Sequence, residues 1–142
     1  MRHSANVTTL SVVIRRDPHA VYAFVSNGKN LPRWATTFCR SVKPSPRGWL
    51  VDTPQGPVTI RLAEQNTFGV VDHDVIPPSG DTVSVPMRVV PHGDGSAVLF
   101  TLFRRPGMSA RQYADDLAMV TQDLRTLKRV MEARGSRSRR RV

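Results

Sequence analysis

The stretch "YADDLAMVTQDLRTLKRVME", residues 113–132, decides which fold this sequence predicts. Its apolar side chains recur at spacings of three and four residues, which places them along one face of an α-helix. Acidic residues lie early in the stretch and basic residues late, as the helix dipole favours. Ser109 and Gln112, just ahead of it, match a capping box that satisfies the first free N–H groups. We predict one long C-terminal helix whose apolar face consists of Tyr113, Leu117, Val120, Leu124, Leu127 and Met131.

The central half of the chain has the pattern of β-strands. Between Phe38 and Pro106, six short segments rich in apolar and β-branched residues alternate with turn clusters that contain Gly, Pro, Asn or Asp. Six strands joined by short turns predict an antiparallel meander. Such a sheet has one apolar face that needs a cover, and the long helix supplies it. A coiled-coil use of that helix is disfavoured, because its stripe spans only about three heptads.

One more strand and two short helices precede this meander. In "VTTLSVVIRR", residues 7–16, side chains on one face are apolar at every second position, as in a half-buried strand. Asp17 then suits an N-cap, and Pro18 suits the first helical position because its missing N–H is not needed there. A second short helix is predicted over "NLPRWA", where Trp34 is the large apolar anchor. The sequence therefore predicts an α+β domain with seven strands.

This order of elements resembles the START and birch-pollen-allergen superfamily, and "IRRDPHAVYAFVSNGKNLPRWA" near the start and residues 113–132 near the end carry the resemblance. Within the superfamily, the chain is similar to bacterial proteins labelled polyketide cyclase/dehydrase or lipid-transport-like. The resemblance covers nearly all of residues 7–134. It implies the helix-grip fold, a curved antiparallel seven-strand sheet around the C-terminal helix, with a cavity for an apolar or aromatic molecule. Some members carry out acid–base steps there, but no set of site residues is shared.

Length and charge predict one domain followed by a basic tail. At 142 residues the chain fits a single domain, which we place at residues 1–133. The net charge is +10, and five of the 21 basic residues fall within residues 134–142, "RGSRSRRRV", which have almost nothing apolar to bury. We predict a disordered, solvated tail. Its arginines suit non-specific contact with nucleic acid or anionic lipid, and no specific nucleic-acid partner is expected.

The cysteine content and hydropathy of the chain bear on its location. The single Cys39 excludes an intrachain disulfide and a zinc site built from cysteines, which favours a reducing compartment. The N-terminus has no apolar segment of secretory type, and no stretch approaches the ~18 uninterrupted apolar residues of a membrane-spanning helix. We therefore expect a cytoplasmic protein that does not insert into membranes.

The stretch "VVDHDVI", residues 70–76, places three ionisable side chains inside an apolar strand. By strand alternation, Asp72 and Asp74 share one face and His73 lies on the other. A histidine facing the cavity can act as general acid or base or bind a ligand carbonyl; the alternative is a structural histidine satisfied by its neighbours. Adjacent strand residues cannot converge on one ion, so no metal site is expected. We expect both aspartates on the outer face, paired with arginines of neighbouring strands, Arg61 and Arg88.

Two further assignments depend on the phase of their strands. Pro86 cannot donate to a ladder, so its strand is expected to carry a bulge or to lie near an edge. Such a bulge would turn Arg88 inward as a clamp for a ligand carboxylate, whereas simple alternation keeps it outward. In "SAVLFTLFRR", residues 96–105, both faces are apolar and the phase is ambiguous. We assign Phe103 to the cavity and expect a loop or a homodimer contact to cover the outer face.

These observations predict binding of an apolar or aromatic small molecule, such as a lipid or polyketide, between the sheet and the C-terminal helix. Cyclase or dehydratase chemistry would use His73 as the catalytic acid or base, with Tyr113 as a second polar group. No cofactor and no metal are expected. The alternative is a non-catalytic interaction module with a filled core, which binds protein or nucleic acid through its basic surface and tail. The predicted lining comprises Trp34, Val71, Val85, Met87, Arg88, Phe103, Tyr113, Leu117 and Val120.

Overall fold

The structure is a computed structural model that describes residues 6–140, with side chains as far as residue 135. Within these residues the chain forms eight strands and three α-helices, which confirms the α+β class. In chain order the elements are β1 (Val7–Ile14), α1 (Pro18–Val25), a 3₁₀ turn (Gly28–Asn30), α2 (Leu31–Trp34), β2 (Ser41–Ser45), β3 (Gly48–Thr53), β4 (Gly56–Leu62), β5 (His73–Ile76), β6 (Val83–Val85), β7 (Met87–His92), β8 (Gly95–Phe103) and α3 (Ala110–Arg140).

The strands form two antiparallel sheets, in the order β1-β8-β7 and β2-β3-β4-β5-β6. A short stretch of pairing joins them, because the backbone of residues 69–71 bonds to that of residues 87–89 through two hydrogen bonds of 2.8 Å. We call these two segments the seam. The single strand predicted around Pro86 is split at that residue into β6 and β7. The helix-grip fold is confirmed, with its predicted seven-strand sheet divided into two.

Asp72 completes the hydrogen bonding where Pro86 interrupts the strand. Pro86 has no N–H to donate. The Asp72 carboxylate accepts from the Met87 N–H at 2.9 Å and forms a bidentate pair with Arg88, with N···O distances of 3.0 and 2.9 Å. The hydrogen bond from Arg88 holds the pKa of Asp72 below its usual range, so this carboxylate is ionised at neutral pH. The irregularity predicted at Pro86 is confirmed as a break with its own side-chain support.

Local sequence explains the two short helices after β1. The Asp17 side chain accepts from the Ala20 N–H at 3.0 Å and caps α1, while Pro18 occupies the first turn, as predicted. The 3₁₀ turn then brings Gly28 flat against the Trp49 indole, where any Cβ would collide with the ring. Glycine is required there by this close approach.

The long helix α3 packs against β1 and α2. Its start has the predicted reciprocal cap, since Ser109 Oγ accepts from the Gln112 N–H at 3.0 Å and Gln112 Oε1 accepts from the Ser109 N–H at 2.9 Å. Tyr113 is buried, and its hydroxyl bonds to Thr8 Oγ1 and to the Leu102 carbonyl, both at 2.8 Å. This end of α3 is thereby tied to the first and last strands.

At its other end, α3 continues to Arg140 and so includes most of the segment predicted as a tail. The Arg134 guanidinium lies over the Phe24 ring, 5.2 Å from its centroid, which joins this part of the helix to α1. The side chains of residues 136–140, and residues 1–5 and 141–142 altogether, lie outside the described residues. The domain boundary before residue 134 and the disorder of the tail therefore stay predictions.

Midway along α3, the buried carboxylate of Asp123 fastens the loop that follows α2. Asp123 is 4% exposed and accepts from the Thr37 N–H at 3.0 Å and from the Thr37 hydroxyl at 2.8 Å. Burial raises the pKa of Asp123, and the two hydrogen bonds oppose the shift only in part. Because the native carboxyl binds its proton more tightly than the unfolded one, this group favours the native state at low pH. That contribution is lost as the pH rises through the raised pKa.

We expect Asp123→Asn to raise the free energy of unfolding at neutral pH by about 0.5–1.5 kcal/mol. The amide removes the buried charge yet keeps both contacts, since its oxygen can accept from the Thr37 N–H and its NH₂ can donate to the Thr37 hydroxyl oxygen. Urea unfolding between pH 4 and 8 should show a flatter pH profile than the parent protein. Asp115→Asn, at an exposed carboxylate of the same helix, is the control. A loss of stability at neutral pH would contradict this account.

The free side of β1 is bonded to α3 at one end. Lys128 Nζ donates to the Val13 carbonyl at 2.7 Å, and the Glu132 carboxylate accepts from the Arg15 N–H at 3.0 Å and from Lys128 at 2.8 Å. On the outer face of β1 and β8, Val7, Val13 and Phe103 are exposed. The homodimer contact predicted for this face stays a prediction.

Candidate functional site

Burial alternates along the strands and identifies the inner face of the two sheets. Even-numbered residues are the more buried ones along β1 and along β8 from Ser96 to Phe100, and the cross-strand register extends the assignment to the other strands. On β5, His73 is paired with Leu62 of β4 and with Val85 of β6. The inner face consists of Thr8, Leu10, Val12, Ile14, Trp49, Val51, Val58, Ile60, Leu62, His73, Val75, Val83, Val85, Met87, Val89, Ser96, Val98, Phe100 and Leu102.

The inner face is fully covered at one end and only half-covered at the other. At the closed end, where β1 ends and β8 begins, the packed side chains of sheet and helix are fully buried: Ile14, Val98, Leu127 and Met131. At the open end, where β8 ends and α3 begins, apolar side chains that face inward remain half-buried: Val58, Val75, Val83, Leu102, Leu117 and Val120. Native cores are normally close-packed. The open end therefore presents apolar surface that the protein does not cover with its own side chains.

His73 is the ionisable side chain of this inner face. Its ring is half-buried and meets the Phe100 ring edge to face, with centroids 5.8 Å apart. Burial lowers the pKa of His73, and the bond to the Val71 carbonyl and the nearby carboxylates of Asp72 and Asp74 do not offset that shift. The imidazole is therefore neutral at neutral pH.

The hydrogen bond of His73 determines its tautomer. Nδ1 lies 3.0 Å from the Val71 carbonyl oxygen, which can only accept, so Nδ1 carries the proton. The lone pair of the neutral ring then resides on Nε2. Nε2 has no hydrogen-bond partner among the described residues, and it is not one of their fully buried unpartnered atoms. It is thus an accessible acceptor on a ring whose orientation the backbone holds.

Asp72 and Asp74 lie on the outer face, as predicted. Asp74 pairs with Arg61 at 2.8 Å and Asp72 with Arg88 at 2.9 Å, which confirms both predicted cross-strand pairs. Both pairs are partly exposed, so each contributes only about 0.2–1 kcal/mol to stability. Within the described part of the chain, no group of three or more His, Cys, Asp or Glu side chains is placed to hold a metal ion.

The other residues of the predicted lining fall into three groups. Val71, Val85 and Met87 are inward and buried, and Phe100 of the same buried cluster contacts His73. Leu117 and Val120 are half-buried at the open end. Trp34 and Tyr113 are buried. The Tyr113 hydroxyl is already bonded to Thr8 and to the Leu102 carbonyl, so it has no free proton to donate to a ligand, as its predicted role would require.

Two residues of the predicted lining lie on the wrong face. Arg88 points outward to Asp72, because the strand breaks at Pro86 without reversing the alternation of side chains, so it is not an inward anion clamp. Phe103 is 40% exposed and outward, and Leu102 occupies the inner position instead. The phase of β8 follows from its pairing with β1, in which Leu102 faces Thr8 and Phe100 faces Leu10.

Sequence reasoning missed the half-buried apolar residues of β4 and β6 at the open end. Val58, Leu62 and Val83 lie on the same face as His73. Alternation around Arg61, whose charge belongs outside, was the signal that could have assigned the first two.

A cleft of about 470 Å³ lies over the end of β4 and the adjoining parts of β5 and β6, and its lining includes Leu62, His73 and Val85 of the inner face. Four charged side chains also line it: Arg61, Asp72 and Asp74 of the outer face, which are paired with one another or with Arg88, and Glu64. His73 therefore lies on the wall of this cleft as well as on the inner face.

The sequence profile described as "Polyketide cyclase / dehydrase and lipid transport" matches residues 6–132. Comparison with curated protein sequences finds no match. None of the helices in the described part of the chain has the length and apolar character needed to cross a membrane.

Solved structures share the fold at low sequence identity. The protein XoxI from Bacillus cereus superposes with a TM-score of 0.70 at 16% identity, over 89% of this chain and 96% of that one. Ara h 8.0201 gives 0.68 at 13% identity, over 89% of this chain and 97% of that one. The di-domain ARO/CYC StfQ from the steffimycin biosynthetic pathway gives 0.66 at 14% identity, over 92% of this chain and 52% of that one. These likenesses establish the architecture.

Proposed function

This chain belongs to the polyketide cyclase/dehydrase and lipid-transport family, and on that premise we propose that it binds an apolar or aromatic small molecule between α3 and the inner face. The observation that carries the proposal is the half-burial of inward apolar side chains at the open end. Binding a guest there would remove apolar surface from water, which contributes a favourable free energy of about 25 cal/mol for each Å² buried. The same half-burial argues against the alternative of an interaction module with a filled core. We also propose a cytoplasmic location, because a chain with the single cysteine Cys39 has no intrachain disulfide and suits a reducing compartment.

His73 supplies the polar chemistry of the site. A neutral imidazole with its proton fixed on Nδ1 can accept a hydrogen bond from a ligand hydroxyl at Nε2. In an enzyme of this family, the same nitrogen would act as general base: it takes a proton from an O–H or activated C–H bond and leaves the electron pair on the substrate. That transfer needs no cofactor. The similarity to StfQ, which is described as an ARO/CYC protein, supports this chemistry.

Native mass spectrometry of the protein as purified tests the binding function. The spectrum should contain a species heavier than the chain, and denaturing extraction should release an apolar or aromatic compound. Thermal shift against lipids, quinones and aromatic polyketides extends the test to protein that purifies empty. An empty protein that none of these compounds stabilises would overturn the proposal and favour the interaction module.

The pH dependence of naphthol binding tests the role of His73. We expect the affinity for naphthol, which donates through its hydroxyl, to fall by about tenfold as the pH drops through the lowered pKa of His73, below its ordinary 6.5. Protonation places a hydrogen on Nε2, which then cannot accept. Fluorescence titration between pH 4.5 and 8 measures the change.

His73→Phe is the matched variant, because it keeps an aromatic ring against Phe100 and removes the acceptor. Its affinity for naphthol should be low and independent of pH, while circular dichroism shows the native fold. A pH-dependent affinity that survives in His73→Phe would assign the titration to another group. If His73→Phe bound naphthol as tightly as the parent protein, His73 would have only a structural role.

A further inference from the structure

Trp34 is the last residue of α2 and lies in the core, and its indole N–H has no hydrogen-bond partner among the described residues. The residue is 4% exposed and belongs to the buried cluster that contains Val71, Val85, Met87 and Phe100. Among the side chains that the structure describes, Trp34 Nε1 is the only fully buried nitrogen or oxygen without a hydrogen bond. It is an exception, because native proteins pair nearly all such groups.

Other buried polar side chains of the same core are satisfied. The Tyr113 hydroxyl has two partners, the Asp123 carboxylate has two donors on Thr37, and Ser96 Oγ donates to the Arg16 carbonyl at 2.7 Å. An unpaired indole N–H in this setting is costly, whereas a phenylalanine would carry no donor to leave unpaired. The donor is explained if a molecule that enters the core brings the missing acceptor.

We propose that Trp34 Nε1–H donates to a carbonyl or similar oxygen of the bound molecule and so selects oxygenated ligands over hydrocarbons. This inference rests on the proposed function and narrows its ligand class. A guest that reached both Trp34 Nε1 and His73 Nε2 would meet one donor and one acceptor. The complementary ligand is an aromatic or polycyclic molecule with both a carbonyl and a hydroxyl group.

A pair of probes that differ in one oxygen tests the role of Trp34. Acetylnaphthalene carries a ketone that can accept from an N–H, and ethylnaphthalene has the same shape without it. We expect the parent protein to bind acetylnaphthalene more tightly. Trp34→Phe should lower the affinity for acetylnaphthalene by about five- to tenfold and change that for ethylnaphthalene by less than about twofold.

The thermal stability of the ligand-free protein provides a second readout. Trp34→Phe leaves a small cavity, but the donor that it removes is unpaired, so the melting temperature should fall only slightly. The control is Trp49→Phe, at the half-buried indole that packs on Gly28, which should affect both probes alike.

The outcomes separate this inference from the proposed function. Equal losses for both probes in Trp34→Phe would overturn the hydrogen bond. Unchanged affinities for both probes in this variant would also overturn it. If the parent protein binds neither naphthalene, the proposed function fails, and the role of Trp34 fails with it.

Discussion

Replacing Leu127 by alanine is expected to lower the free energy of unfolding by about 2–5 kcal/mol, a large part of the stability of a domain of this size. Leu127 is 0% exposed and lies at the closed end, where α3 meets the sheet. Truncation there removes apolar contacts and leaves a cavity that tightly packed neighbours cannot fill. Chemical denaturation monitored by circular dichroism gives the value directly.

The same substitution three turns earlier on the same helix is the matched control. Leu117 is half-buried at the open end, so Leu117→Ala should cost only about 1 kcal/mol. It should, however, weaken the binding of an apolar guest that contacts this surface. Similar losses of stability at the two positions would show that the open end is packed as tightly as the closed one. That result would remove the main support for a ligand site.

Replacing Gly69 by alanine is expected to cost about 2–5 kcal/mol, because two effects act together at the seam. Gly69 has a φ of +75°, a conformation that costs an L-residue with a side chain about 1–2 kcal/mol. A Cβ at this position would also collide with the Val89 carbonyl oxygen. Relieving that overlap costs about another 1–3 kcal/mol and strains the bond from the Val89 N–H to the Gly69 carbonyl.

Gly80→Ala separates the two effects. Gly80 has a φ of +87°, but nothing lies within 4 Å of an added Cβ, so only the conformational cost of about 1–2 kcal/mol applies. Urea unfolding of both variants under one condition measures the difference. Equal losses at Gly69 and Gly80 would mean that the seam yields without cost. In that case the two sheets would not be held together at this point.

Much of this architecture is predictable from the sequence, because helix periodicity and capping act locally. The stripe from Tyr113 to Met131, the reciprocal cap of Ser109 and Gln112, and the start of α1 at Asp17 and Pro18 all depend on residues within four positions of one another. The structure has each of them. The outward positions of Asp72, just before β5, and Asp74, within it, were predictable for a similar reason, since one charged position determines the alternation of a whole strand.

The site was harder to predict, because it depends on contacts between distant segments. Both faces of β8 are apolar, so only its register with β1 determines that Leu102 faces inward and Phe103 outward. A bulge or an edge position was expected at Pro86, but the side-chain alternation across the observed break depends on Asp72, fifteen residues away along the chain from the Met87 N–H that it binds. The unpaired N–H of Trp34 results from what its neighbours do not offer, and no sequence pattern encodes that.

The bonds that α3 makes to β1 bear on how the protein behaves at high concentration. In the described strand order β1 is terminal, and Val13 and Arg15 direct backbone groups away from β8, so Val7, Thr9 and Ser11 do the same. An uncovered terminal strand of uncharged, β-branched residues is a template on which another chain can polymerise. Lys128 and Glu132 occupy its last backbone groups with charged side chains. These two side chains of α3 thus protect the end of β1 from pairing with another chain, and replacing both by alanine would expose that edge while Leu127 and Met131 stay in place.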